Sequence, residues 1–106
     1  KWCEELNLRM CFDVSHTMLA CNEFKWDFYD FSKKIAPITA HLHLGDASGT
    51  NGEGLQVGDG EIDFKRLSNI LNVHAPQSTF IPEIWQGHKN GGEGFWTALN
   101  KLNNLV

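Results

Sequence analysis

His41 and His43 stand two residues apart in the apolar run ITAHLHLG, residues 38–45. In an extended strand this spacing puts both imidazoles on one face and Leu42 and Leu44 on the other. The following stretch, residues 45–60, holds six glycines together with Asp46, Glu53, Gln56 and Asp59. A strand that only builds core needs no histidine pair, and a plain connection needs no such polar groups. The stretch reads as the mouth of an active site. Asp13, followed by Ser15 and His16, closes a second apolar run, LRMCFD at 8–13; Glu83, followed by His88, lies near the end of a third, TFIPEI at 79–84. Aspartate, histidine and glutamate form a borderline-hard ligand set suited to Mn²⁺, Zn²⁺, Co²⁺ or Mg²⁺. Each residue has a plainer alternative: Asp13 as a helix cap or turn residue, His43 as a hydrogen-bonded core residue, Glu83 as a surface charge. Their recurrence at the ends of successive runs favours a shared site.

The elements that must position these groups follow from spacing. Residues 2–7 read as the last turns of a helix, and residues 8–13 as a short buried strand. Phe24, Phe28, Phe31 and Ile35 recur at helical intervals, which predicts a helix over 22–36 with Asn22 as its N-cap and Pro37 as its stop. Residues 38–45 form the next strand and 45–61 a loop. Asp63 caps a helix whose apolar face is Phe64, Leu67, Ile70 and Leu71. Residues 79–84 form a third strand, although Pro82 cannot donate to a sheet ladder. Residues 85–94 form a glycine-rich polar loop, and Phe95, Ala98, Leu99, Leu102 and Leu105 mark a terminal helix. Strand and helix alternate, so the expected fold is α/β with a parallel sheet. In such sheets ligands bind beyond the carboxyl ends of the strands, where Asp13, His43 and Glu83 fall.

The bulk properties narrow the function. The chain has 106 residues, a net charge of −4 and no basic run longer than Lys33-Lys34, which argues against a nucleic-acid partner. No apolar stretch is long enough for a membrane span. The opening residues KWCEE contain two acids and do not read as a signal peptide. Three cysteines without a C-x-x-C pair suit a reducing compartment, so a cytoplasmic location is expected.

Four segments resemble the xylose isomerase-like TIM barrels, the superfamily of sugar and sugar phosphate isomerases, epimerases and the endonuclease IV group (AP endonuclease family 2). Asp13-Val14-Ser15-His16 is similar to its D-x-x-H, and His43-Leu44-Gly45-Asp46 to its H-x-x-D. Gly58-Asp59-Gly60-Glu61-Ile62-Asp63-Phe64 is similar to the G-x-G stretch that opens the next helix. Ile81-Pro82-Glu83-Ile84 is similar to a late strand whose glutamate binds metal. The order holds across about residues 3–100. The resemblance implies that Asp13, His43 and Glu83 bind a divalent metal, that Glu83 is also catalytic, and that His16 binds substrate or acts beside the metal. It also implies a further glutamate on an earlier strand that would precede Lys1. Three strands cannot close an eight-stranded barrel. The expectation is therefore one partial domain, residues 1–106, forming the C-terminal βα units of a (β/α)8 TIM barrel. The remainder would come from a longer polypeptide or from separate chains, and a homo-oligomer is open.

The implied chemistry is isomerisation or epimerisation of a small-molecule sugar by proton transfer through an enediolate. Glu53, Gln56, Trp85 and His88 are the expected substrate-binding residues. The alternatives are an exposed mobile loop for Glu53 and Gln56, and packing under the last helix for Trp85. His88 or Lys89 suits an anionic group such as phosphate. His41 lines the barrel interior or is a buried core residue. Because one of the two proton-moving glutamates would precede Lys1, the full-length protein is the expected isomerase or epimerase, and residues 1–106 alone are expected to be a poor enzyme or none. A second class is a non-catalytic isomerase-like module of a larger carbohydrate-biosynthesis protein. Endonuclease IV-like phosphodiester hydrolysis fits less well. Where that branch carries D-x-H, this chain has Gly52-Glu53-Gly54.

Overall fold

The computed structural model describes residues 1–105. Along the chain run α1 (Trp2–Glu5), β1 (Met10–Asp13), α2 (Val14–Phe24), α3 (Phe28–Ile35), β2 (Thr39–Leu44), β3 (Asp46–Ser48), β4 (Gly52–Leu55), α4 (Phe64–His74), β5 (Thr79–Pro82) and α5 (Lys89–Asn103). The main sheet has the order β1-β2-β5, and both pairs are parallel. Helices follow each strand, so the protein is mixed α/β, as expected for part of an α/β barrel.

Alternation along the strands sorts the side chains into two layers. Phe12, Leu42 and Leu44 face the helices and are buried with Val14 and Met18 of α2, Phe28 of α3, Phe64 and Leu67 of α4, and Ala98 of α5. The register sets Cys11 beside His41, and Asp13 beside His43, on the opposite face. His41 Nδ1 lies 2.7 Å from the Thr79 hydroxyl of β5. The face away from the helices thus carries both histidines, with Cys11, Thr79 and Ile81 beside them, and its carboxyl end carries the ligand-type residues.

The predicted helix over 22–36 is two helices. α2 begins directly at Asp13, which caps it by accepting the His16 N–H at 3.0 Å. It stops where Lys25 turns left-handed, at φ 58°, and the Trp26 N–H closes on Cys21 O at 2.9 Å. Asp27 then caps α3 by accepting the Asp30 N–H at 2.9 Å. Asn22 is therefore not a cap. Its side-chain amide donates to Gly49 O and to Glu61, tying α2 to the loops above the sheet. Phe24 lies outside the core and stacks on exposed Trp26, with ring centroids 5.2 Å apart.

The predicted loop 45–61 contains the antiparallel hairpin β3–β4. Pro82 is compatible with β5 for a geometric reason. The Glu83 N–H donates to Leu44 O at 2.8 Å, so N–H groups of alternate residues face β2. The Pro82 nitrogen faces the outer edge, and its missing proton takes nothing from the β2–β5 ladder. At the other end of the chain, α5 is interrupted by left-handed backbone at Asn90, Gly91 and Gly92 before it runs regularly. Among the described residues no helix is long and apolar enough to cross a membrane, and the three cysteines are free thiols.

Candidate metal centre

β1, β2 and the end of β5 deliver Asp13, His43 and Glu83 to one rim. His43 Nδ1 lies 2.7 Å from Glu83 Oε2 and 3.8 Å from Asp13 Oδ2. One ligand atom from each residue falls within 4.8 Å of the other two. Nitrogen and oxygen ligands about 2.0–2.2 Å from a shared tetrahedral ion stand roughly 3.4 Å apart. The donor set and its spacing therefore fit a divalent cation with small side-chain adjustments. Asp13 uses its two oxygens differently. Oδ1 caps α2, and Oδ2 faces the two imidazoles. The capping and site readings of this residue hold together.

His16, on the first turn of α2, bridges two carboxylates. Its Nδ1 lies 2.9 Å from Asp13 Oδ2, and its Nε2 meets the Glu53 carboxylate. The hydrogen bond to Asp13, with its charge and the Glu53 contact, raises His16 above the ordinary imidazole pKa against an opposing effect of burial. Glu53 sits on β4, so this contact fastens the hairpin over the rim.

A cleft of about 520 Å³ opens beside two of the three ligand residues, Asp13 and Glu83. Asp13, His16, Glu53, Glu83, Trp85 and His88 all line it, together with Gln86. Trp85 is exposed at its edge rather than packed under α5, and its backbone N–H donates to Gly54 O at 2.8 Å. Two expected residues lie elsewhere. Gln56 is turned into the protein: its carbonyl accepts the Val57 N–H, and its amide donates to Gly94 O at the start of regular α5. Both ends of the side chain are occupied, so it braces the hairpin exit and does not face the cleft. Lys89 lines a neighbouring surface hollow with Asn90 and Glu93.

Asp46 is the second acid of the H-x-x-D run, and it builds the loop rather than the rim. It is fully buried, and its carboxylate accepts the N–H groups of Ala47, Gly58, Gly60 and Ile62. A Cβ on Gly60 would fall 2.3 Å from Ala47 O and 2.5 Å from Asp46 Oδ1, so only glycine fits this close approach. Ser15, also buried, donates to Asp46 O and accepts the Gly54 N–H. The run GDGEI is thus wrapped around one carboxylate, and β4 is moored to the same point. The sequence places Asp46 correctly beside the strand end; its burial follows from backbone donors that side-chain spacing does not display.

Parallel strands alternating with helices, with ligand-type residues at the carboxyl ends, define a segment of an α/β barrel. The chain belongs to the xylose isomerase-like TIM barrel family, whose model matches residues 1–104. No curated protein matches the chain.

Proposed function

We propose that residues 1–106 form the metal-binding rim of a sugar isomerase or epimerase. The supporting observation is the convergence of Asp13, His43 and Glu83 from three parallel strands within the reach of one cation. Mn²⁺, Zn²⁺, Co²⁺ and Mg²⁺ all accept this donor set. A bound divalent ion would polarise a substrate carbonyl and acidify the neighbouring C–H. Glu83 then holds or moves the proton at the substrate carbon, passing through an enediolate, while Asp13 and His43 keep their ligand roles. His16 and Glu53, linked to each other across the cleft, bind substrate hydroxyls. Trp85 offers an exposed ring to the carbon skeleton, and His88 a polar contact beyond it. A second proton-moving carboxylate and the remaining barrel strands come from outside these residues, in the same or another polypeptide. The free thiols suit a cytoplasmic setting.

Calorimetric titration with Mn²⁺ and Zn²⁺ tests this reading. We expect one tightly held ion per chain. Three zinc ions would favour phosphodiester hydrolysis, and no binding would favour a module without metal chemistry.

A further inference from the structure

The loop leaving β5 contains a residue whose backbone conformation is unfavourable for its type. Gln86 has φ 55°, in the left-handed region. It occupies the third place of a turn closed by the Gly87 N–H on Ile84 O at 2.9 Å. Turns with positive φ at this place ordinarily take glycine or asparagine there. A glycine does follow, at 87, but it answers a different need: a Cβ there would fall 2.5 Å from the Phe95 ring. The strain at Gln86 is therefore retained, although glycine at 86 would remove it. Strained residues of this kind gather where a side chain is used.

Location supplies the use. Gln86 stands exposed on the cleft wall between Trp85 and His88, with Glu83 on the same loop and Glu53 and His16 on other elements of the lining. The turn that carries it is tethered on both sides. Trp85 donates to Gly54 O, and the Lys89 N–H donates to Gln86 O at 3.1 Å. From this tethered backbone the neutral side-chain amide offers one donor end and one acceptor end, which match two hydroxyl groups. It does so without altering the charge that a nearby cation would require.

We propose that Gln86 is a specificity-determining residue, reading the hydroxyls of an open-chain sugar beyond the pair nearest Glu83. The proposal rests on the sugar reading above. Its test uses the Mn²⁺-loaded protein and two acyclic probes that differ in one stereocentre, xylitol and ribitol, with Q86G and Q86N. Q86G relieves the backbone strain, so its thermal midpoint holds or rises and its Mn²⁺ affinity is unchanged. Its affinity for the better probe falls about three- to tenfold, the worth of one or two neutral hydrogen bonds. The xylitol-to-ribitol ratio moves toward one, and Q86N, whose amide also tolerates the left-handed region, retains part of that ratio. An unchanged affinity and ratio in Q86G, with the wild type binding either probe, overturns the assignment of Gln86 alone. Mn²⁺ binding by the wild type without affinity for either polyol overturns both this assignment and the sugar reading.

Discussion

His43 Nδ1 approaches Glu83 Oε2 to 2.7 Å, an imidazole and a carboxylate joined across two neighbouring parallel strands. Asp13 approaches the same nitrogen from the other side. A nitrogen flanked by two carboxylates is the contact a shared cation would replace. Even changes in residues that only orient metal ligands cost about 10–100-fold in affinity. His43→Ala is therefore expected to weaken Mn²⁺ or Zn²⁺ binding by at least about 100-fold, measured by calorimetry. Retained stoichiometric metal would remove His43 from the ligand set.

Glu83→Gln removes a base and weakens one of the three metal ligands, so it is read at saturating Mn²⁺ with the bound metal measured. The amide keeps one oxygen toward the site and loses its basicity. Circular dichroism and the thermal midpoint should match the wild type, because Glu83 is half exposed at 51% and lies outside the core. Exchange of the substrate carbon-bound proton with solvent deuterium, followed by NMR in the complete protein, should vanish. Undiminished exchange would refute the proton-moving role.

Asp46 carries a stability prediction instead of an activity prediction. Four backbone N–H groups converge on its buried carboxylate. A buried donor left without a partner costs about 1–3 kcal/mol. Asp46→Ala is expected to destabilise the fold by at least about 3 kcal/mol in urea unfolding. Gly60→Ala should weaken the same loop, because the new methyl group meets Ala47 O and Asp46 Oδ1.

The His16 contacts predict a pH dependence of the metal-free protein. Folding raises the His16 pKa, chiefly through its hydrogen bond to Asp13. The protonated ring therefore favours the folded state. This contribution is complete below the unfolded imidazole value of about 6.5 and is lost as pH rises through the higher folded value. The difference in thermal midpoint between wild type and His16→Gln, in chelator, should be largest near pH 5.5 and shrink above neutrality. His16 is 60% exposed, so the difference should be small and should fall further with added salt. A pH-independent difference would exclude the protonated contact.

The strands and the meeting of three side chains at their ends are legible because two simple regularities coincide. Alternation in AHLHL separates imidazoles from leucines, and Asp13, His43 and Glu83 fall at equivalent strand ends. The break between α2 and α3 was hidden. The aromatic spacing from Phe24 to Ile35 crosses it without interruption, and Lys25 is not a usual left-handed residue. Val14, Met18 and Cys21 do share a helical face, and that spacing could have revealed α2. The hairpin β3–β4 is short and rich in glycine, so it lacks alternating apolar residues to announce it. Gln56 illustrates a limit of composition: polarity placed it near a cleft, while its bond to Gly94 depends on the approach of α5.

The direction of the Pro82 nitrogen governs more than the placement of one strand. A foreign strand laid along the outer margin of β5 meets a gap in the row of donors at the rim end. Register can lock beside Phe80, whose N–H faces outward, but loosens beside Pro82. Adhesion of stray chains is discouraged at the level of the ligands, and a neighbouring segment is released there from the ladder, free to bend away from the mouth.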